Sequence, residues 1–472
     1  MTTQPNTIAD VLLAYRRGEL SPVDAVEDHL RGIARMQGTL NAFVAVDVDG
    51  ARAAAHRSRT RWLEGTARPL EGVPISIKDI VAMAGFATGE GSRTTSELNA
   101  LVDSPPVARL REAGAVLIGK TTTPEFGWKG ITDSPGWGVT RNPWNTDHSS
   151  GGSSGGAAAS LSAGVGLAAH GTDGGGSIRI PASYCGLIGL KPTFGRVPQA
   201  PVTSPYSTLV ANGALTRSVE DAALMLNVLS GPDLRDWHAV PYDNRDWRIG
   251  TNDGLRGLRL AYTETLGEAK VDPEVGQLCR AAVDRIATEG VPVIELDTVI
   301  PPLQSQFEKY WQAGFAHRLR SIPLERRDDL DPGFRSLAEA GLDVGVEALD
   351  TAYAARAKLT ATMRRLHLDY DLLVTPTMPT TAPPAEIVYH SADFDRWEHA
   401  VPFTLPFNLT GQPAISVPVG LAGDGLPVGL QLVATHHRED LLLRAARFLL
   451  DLTGWSWPGN TLARRLAMLP AS

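Results

Sequence analysis

Apolar positions along this chain follow two rhythms. Short β-branched runs bounded by glycine or proline, at residues 72–80 (GVPISIKDI) and 115–121 (AVLIGKT), predict buried strands. Residues 105–113 between them predict a helix, so the rhythms alternate as in an α/β layer. Upstream, Ser21 followed by Pro22 and Asp24 marks a helix start: serine as N-cap, proline at the first helical position, an acid in the first turn. With the segment after Thr7, this predicts a helical section reaching about residue 60. The small-residue run SSGGAAASLSAGVG from Ser153 has apolar spacing suited to a tightly packed helix. Residues 216–229, with Thr216 as cap and Glu220 and Asp221 near the start, predict another. Further strands are expected at 258–262, 291–296, 372–375, 414–419 and 428–433, and helices at 273–288, 307–319, 349–366 and 438–450.

Two stretches break the rhythm. Residues 232–250, rich in Asp, Arg, Trp and Pro, read as a surface connection between two halves of one domain, with a lid as the other reading. Residues 376–384 (PTMPTTAPP) form a stiff loop after an expected strand, where α/β sheets place ligands. Composition adds bounds. A chain of 472 residues, 43% hydrophobic and 20% charged, can bury a sizeable core, and a net charge of −8 argues against a general nucleic-acid surface. Cys185 and Cys279, far apart and without metal-ligand spacing, read as small buried hydrophobes in a reducing compartment. No run approaches the roughly 18–20 apolar residues of a membrane span, and residues 1–10 lack a basic stretch followed by an apolar one. The expected location is cytoplasmic, with neither membrane nor nucleic acid as partner.

Candidate chemistry gathers at two glycine clusters, G-G-S-S-G-G (151–156) and G-T-D-G-G-G-S-I-R-I-P (171–181). A linker would be long, polar and structureless, whereas both clusters lie among expected buried segments. A phosphate loop would need G-x-x-x-x-G-K-[ST], or G-x-G-x-x-G between strand and helix, and no lysine follows either cluster. The third reading fits: consecutive glycines aim several backbone N–H groups at one point, and Ser177 places its hydroxyl beside them. Nucleophile plus oxyanion hole is the pairing that acyl transfer requires. The base is less plain. There is no G-x-S-x-G elbow, and His170 reads as a packed or surface residue, His436 and His437 as capping a helix. A Ser–Lys arrangement stays open. Lys78 lies within an apolar strand, where burial would favour its neutral amine, although an exposed strand edge is the plainer reading of that residue alone.

In order along the chain, G-V-P-I-S-I-K-D (72–79) and the two glycine clusters together resemble the amidase signature family. The resemblance extends to A-V-L-I-G-K-T (115–121), T-R-N-P-W-N (140–145), C-G-L-I-G-L-K-P-T-F-G-R-V (185–197) and P-F-N-L-T-G-Q-P-A-I-S-V-P-V-G (406–420), and spans about residues 5–465. It implies one large α/β domain over residues 1–472, with a central twisted mixed sheet covered by helices on both sides. Its sections would be helical at 1–60, catalytic at 61–230, variable and substrate-shaping at 231–370, and a return to the sheet at 371–472. It also implies a Ser–cisSer–Lys triad: Ser177 as nucleophile, Ser153 as bridging serine after a cis peptide bond, and Lys78 as the base acting through Ser153. Gly174, Gly175, Gly176 and Ser177 would form the oxyanion hole. Asp173 and Arg179 would brace the loop, with Thr172 and Ser154 adding hydrogen bonds. No cofactor or metal is implied; the partner is a small-molecule amide, and a homodimer is left open.

Residues 124–144 align with the stretch that lines the substrate channel in several members of that family. Gly127 and Trp128 are therefore expected to line the site, with Trp137 a further candidate, favouring apolar or aromatic groups. The implied reaction is hydrolysis of the C–N bond of a small amide, anilide or carbamate through an acyl-enzyme. The alternative is the glutaminase (A) component of a glutamyl-tRNA amidotransferase complex. That branch carries an acid three residues before the Thr of an F-T-x-P segment, where this chain has Val401, and a G-x-E-V-x-x-R run that is absent near residues 331–360. A stand-alone amidase is the expected branch.

Overall fold

Alternation along the strands decides how the sheet is buried. In the strand Pro74–Lys78, Ile75 and Ile77 enter one apolar core while Ser76 and Lys78 point to the opposite face. The strand Pro427–Ala434 repeats this, with Val428, Leu430 and Leu432 in the same core and Gln431 on the other face. One face of the sheet is thus almost wholly apolar, and the other admits buried polar side chains. The chemistry sits on the second face.

The computed structural model describes residues 5–202, 204–297, 299–301, 304–388, 397–459 and 462. Of the stretch read above for a leader, residues 1–4 lie outside the described residues. The strands, in chain order, are β1 (Phe43–Val46), β2 (Pro74–Lys78), β3 (Val116–Thr121), the hairpin β4 (Asp133–Ser134) and β5 (Gly138–Val139), β6 (Ala168–Asp173), β7 (Ile188–Lys191), β8 (Ala211–Thr216), β9 (Leu260–Tyr262), β10 (Val293–Glu295), β11 (Leu372–Pro376), β12 (Ala414–Leu421) and β13 (Pro427–Ala434). Apart from the hairpin they join into one mixed sheet ordered β1-β3-β2-β6-β8-β7-β12-β13-β11-β9-β10. Strands from residue 43 to residue 434 share this sheet, so the fold is a single large α/β domain with helices on both faces. Among the described residues no helix is long and apolar enough to cross a membrane.

The structure departs from the expectations where local signals are weak or shared. The N-terminal helical section holds β1, which pairs antiparallel with β3 at the sheet edge. The central strands β6 (AAHGTD), β7 (IGLK) and β8 (ANGALT) are absent from the expected set, because they are too poor in β-branched residues to announce themselves. Thr216 ends β8 instead of capping a helix; the cap is Ser218, whose side chain accepts from Asp221 N–H. His436 and His437 cap nothing: His436 Nε2 lies 2.8 Å from the Thr410 carbonyl, and the helix Glu439–Thr453 begins at Arg438 without a side-chain cap. The helix Pro332–Ala340 is likewise an addition to the expected set.

Residues 232–250 run along the surface, anchored by Asp236 accepting from Gln199 N–H and by Trp247, buried beneath the guanidinium groups of Arg196 and Arg245. The loop 376–384 is tied by its Pro383 carbonyl to Ser149 N–H. Neither segment lines the cavity described next, so the expected placement of a ligand at 376–384 does not apply to that cavity. The physical reason is topological: the cavity opens at the carboxyl ends of the parallel pair β2 and β6, on the other half of the sheet.

Candidate active site

Lys78 ends β2, and the parallel register that sets Ile77 beside His170 leaves it one residue short of Thr172 on β6, within reach of its long side chain. Lys78 Nζ lies 2.7 Å from Ser153 Oγ and 2.9 Å from Thr172 Oγ1. The side chain is fully buried and makes no ion pair among the described residues. Burial therefore pushes its pKa well below the ordinary lysine value, and the nearby Asp173 carboxylate opposes this only in part. Burial thus favours the neutral amine, and a hydroxyl is in contact with it.

Ser153 reaches Lys78 because of the turn before it. The Gly152–Ser153 peptide bond is cis. A Cβ at Gly152 would sit 2.4 Å from the Ile131 carbonyl oxygen, so no larger residue fits that turn. After Ser154 the chain enters the helix Gly155–Ser162, whose eight residues (GGAAASLS) are all buried; their small side chains let the helix nest against the sheet. Ser154 Oγ donates to the Thr172 carbonyl at 3.3 Å, and Ser154 N–H to the Ser177 carbonyl at 3.1 Å, so the two glycine clusters are joined directly.

Ser177 follows β6 across Gly174, Gly175 and Gly176. Its hydroxyl has no hydrogen-bond partner among the described residues. It opens, with Ser153, into one cavity of about 390 Å³. Gly176 has φ +129°, and a Cβ there would meet Thr404 Oγ1 at 2.4 Å, so the bend requires glycine. Its N–H, expected to face the substrate, instead donates to Asp173 Oδ1 at 2.9 Å. The carboxylate that braces the loop has claimed it. The N–H groups of Gly174, Gly175 and Ser177 have no hydrogen-bond partner among the described residues.

Asp173 and Arg179 are both fully buried and meet in a two-pronged pair, with Arg179 Nη2 2.8 Å from Oδ1 and Nε 3.0 Å from Oδ2. Burial alone would raise the Asp173 pKa; Arg179 first, then Lys191 and a hydrogen bond from Asn408, hold it well below the usual carboxylate range. The remaining Arg179 donors reach Gln431 Oε1 at 2.7 Å and Asn408 Oδ1 at 2.6 Å. Asn408, Gln431 and Thr404, which donates to the Gly175 carbonyl at 2.7 Å, are site residues that sequence reasoning does not reach. Asn408 lies within the quoted 406–420 motif, yet nothing local says that it returns to β6. His170, 3.0 Å from Asn212 Oδ1 on β8, has its pKa pushed down by burial to about 4, so it is a neutral cross-strand tie.

The wall of the cavity is mixed: Ile80, Phe126, Tyr206, Val210 and Phe315 give it an apolar and aromatic side, Glu90, His317 and Arg318 a charged or polar one, and Gly127 lies beside Ser153. Trp128 does not line it. Phe126 at φ +52° and Gly127 at φ +70° turn the chain, so residues 126 and 127 face the cavity while Trp128 runs into the aromatic core against Gly333. Only 1% of Trp128 is exposed, and its carbonyl accepts from Trp311 Nε1. Trp137 lies off the cavity too, half-exposed beside the β4–β5 hairpin.

A family model described as Amidase matches residues 24–443. An acylamidase of Rhodococcus erythropolis is 35% identical over 439 residues, covering 90% of this chain and 91% of its own. The A component of the glutamyl-tRNA(Gln) amidotransferase of Roseiflexus sp. (strain RS-1) is also 35% identical, over 475 residues, covering 95% of this chain and 96% of its own. The crystal structure of a bacterial aryl acylamidase of the amidase signature enzymes superposes with a TM-score of 0.90 at 28% identity, over 98% of this chain and 99% of that one.

Proposed function

The chain belongs to the amidase family of serine amidohydrolases that cleave amide C–N bonds, and on that footing we propose that it is a stand-alone amidase acting on small apolar or aromatic amides, anilides and carbamates included. Neutral Lys78 takes a proton from Ser153 as Ser153 takes one from Ser177. The Ser177 alkoxide attacks the carbonyl carbon, and the oxyanion is held by the N–H groups of Gly174, Gly175 and Ser177, each such donor being worth about 3–4 kcal/mol. The relay runs backward to protonate the leaving nitrogen, and water then releases the acid from Ser177 with the same groups in reversed roles. The Ser153 hydroxyl is engaged by Lys78 and not by Ser177, and catalytic hydroxyls of this kind commonly align only once substrate is bound.

One observation carries this reading: a fully buried lysine with no ion-pair partner among the described residues, 2.7 Å from the hydroxyl of Ser153, which lines the same cavity as Ser177. Buried in that way, Lys78 is more useful as a base than as a charge. The aromatic and aliphatic side of the wall, Phe126, Phe315, Ile80 and Val210, supports a substrate with an apolar or aromatic body. Overall identity does not separate an acylamidase from the glutaminase component of an amidotransferase, since both stand at 35%. Local chemistry favours the stand-alone reading: Val401, 2% exposed and packed in the cluster that holds Trp397 and Phe403, stands where the glutaminase branch is expected to carry an acid. The test is a panel of glutamine, aliphatic amides, anilides and aryl carbamates, read by amine or ammonia release from the purified chain. Turnover of anilides or carbamates by the chain alone is expected. Turnover of glutamine only, and only with a partner protein, would overturn the assignment.

A further inference from the structure

The outer wall of the cavity carries a charged pair that the proton relay does not use. Glu90 and Arg318 form an ion pair, and both line the cavity. Arg318, on the helix Gln304–Arg320, lays its guanidinium 4.6 Å over the Phe126 ring. Glu90 is fixed in place: its N–H donates to the Asp79 carbonyl at 3.0 Å, its own carbonyl accepts from Phe126 N–H at 2.7 Å, and Asp79 is paired with buried Lys120 at 2.6 Å. A guanidinium has five N–H donors, and one carboxylate takes two of them in the bidentate fork. Glu90 therefore leaves Arg318 with donors to spare. Beside them a second recess of about 310 Å³ shares Arg318 and Ser321 with the cavity and is lined by the hydroxyl-bearing Thr88, Thr94, Thr95 and Ser96.

We propose that Arg318 and this hydroxyl-lined recess form a subsite for a carboxylate borne on the part of the substrate remote from the scissile bond. The preferred substrate is then an amphipathic monoanion, with its apolar body against Phe126 and Phe315 and its carboxylate on Arg318. The sign of the charge follows from the pair. An ammonium group would have to take Glu90 from Arg318, leaving a partly buried guanidinium without that counter-ion, whereas a carboxylate adds to donors that no other described residue takes. This inference rests on the amidase reading and specifies its substrate.

Four probes test it: acetanilide and butyranilide as neutral amides, 4-acetamidobenzoate with the carboxylate on the leaving amine, and N-phenylsuccinamate with it on the acyl group. In the unmodified enzyme one carboxylate should exceed its neutral counterpart in kcat/KM by about tenfold or more, and in Arg318→Met that ratio should fall to near one. Arg318→Lys, which keeps the charge but loses the fork, should retain part of it. A ratio at or below one in the unmodified enzyme, or one unchanged in Arg318→Met, overturns the subsite. Calorimetric binding of the same probes to Ser177→Ala separates this from the broader reading. Arg318-dependent carboxylate binding with no turnover of any probe by the unmodified enzyme would remove the amidase reading and keep the subsite; turnover without carboxylate preference does the reverse.

Discussion

Lys78 lies behind the cavity, in contact with its lining residues Ser153 and Thr172, whereas Arg318 lines the cavity itself, and their surroundings contrast. Lys78 ends a central strand, fully buried, against two hydroxyls and no acid. Arg318 lies on an outer helix with 39% of its side chain exposed, paired with Glu90 and stacked on Phe126. Burial lowers the pKa of both, but only the lysine can be carried to its neutral form; a guanidinium keeps its charge. The floor of the cavity in front of Lys78 is built from small residues in close quarters, Gly152 against the Ile131 backbone and Gly176 against the Thr404 side chain. The wall comes from separate segments near residues 80–90, 126–127, 204–210 and 314–321. On the proposed reading, reactivity on the floor follows from the charges missing around Lys78, and selectivity at the wall from the partners present at Arg318.

The strongest challenge to this contrast is Ser177→Ala. Amide hydrolysis should fall by at least about a thousandfold while the melting temperature stays within about 2 °C; a folded variant with full activity removes Ser177 from the chemistry. Next in size, Arg179→Met leaves Asp173 charged and buried without its partner, and urea unfolding should show a loss of about 3–5 kcal/mol. A loss under about 1 kcal/mol would show that the brace beneath the floor is dispensable.

Lys78→Met should separate function from stability. Activity goes with the base, but the variant should melt about 2–4 °C higher near neutral pH. Because the folded pKa lies below the unfolded value, the unfolded chain binds more protons between the two, and stability of the unmodified protein rises with pH across that window. The gain from methionine should therefore be larger at lower pH, and a gain independent of pH would contradict a neutral buried amine. In the unmodified enzyme kcat/KM should decline as pH falls through the folded pKa of Lys78. The smallest effect belongs to Gly174→Ala. Its Cβ would lie 3.3 Å from Val210 and 3.4 Å from the Tyr206 hydroxyl, so the change fits but narrows the cavity. Bulky acyl groups should lose up to about tenfold in kcat/KM relative to acetyl substrates, and equal losses for both would place Gly174 outside the acyl pocket.

Legibility in the sequence follows the same division. Strands β2 and β3 are announced by β-branched runs, and the helices beginning at Pro22 and Val219 by polar residues at their starts, although the second cap is Ser218 and not Thr216. Strands β6 to β8 are not, since AAHGTD and ANGALT owe their conformation to the sheet that closes on both sides of them. Trp128 falls outside the cavity because alignment locates a segment and not the direction of its turn: at Phe126 the backbone reverses, and the ring of residue 128 faces the core.

The sequence by itself determined the α/β class and the two glycine-rich turns, because period, composition and the missing Cβ are local properties. It also singled out Lys78 and Ser177 as residues in need of an explanation. Only the tertiary structure decided that Lys78 has a hydroxyl and no acid beside it, that Gly176 N–H belongs to Asp173, and that Arg318 faces the cavity 141 positions after Ser177. Protonation, donor availability and the shape of a wall depend on what distant segments bring to one point, and no single stretch of this chain contains that information.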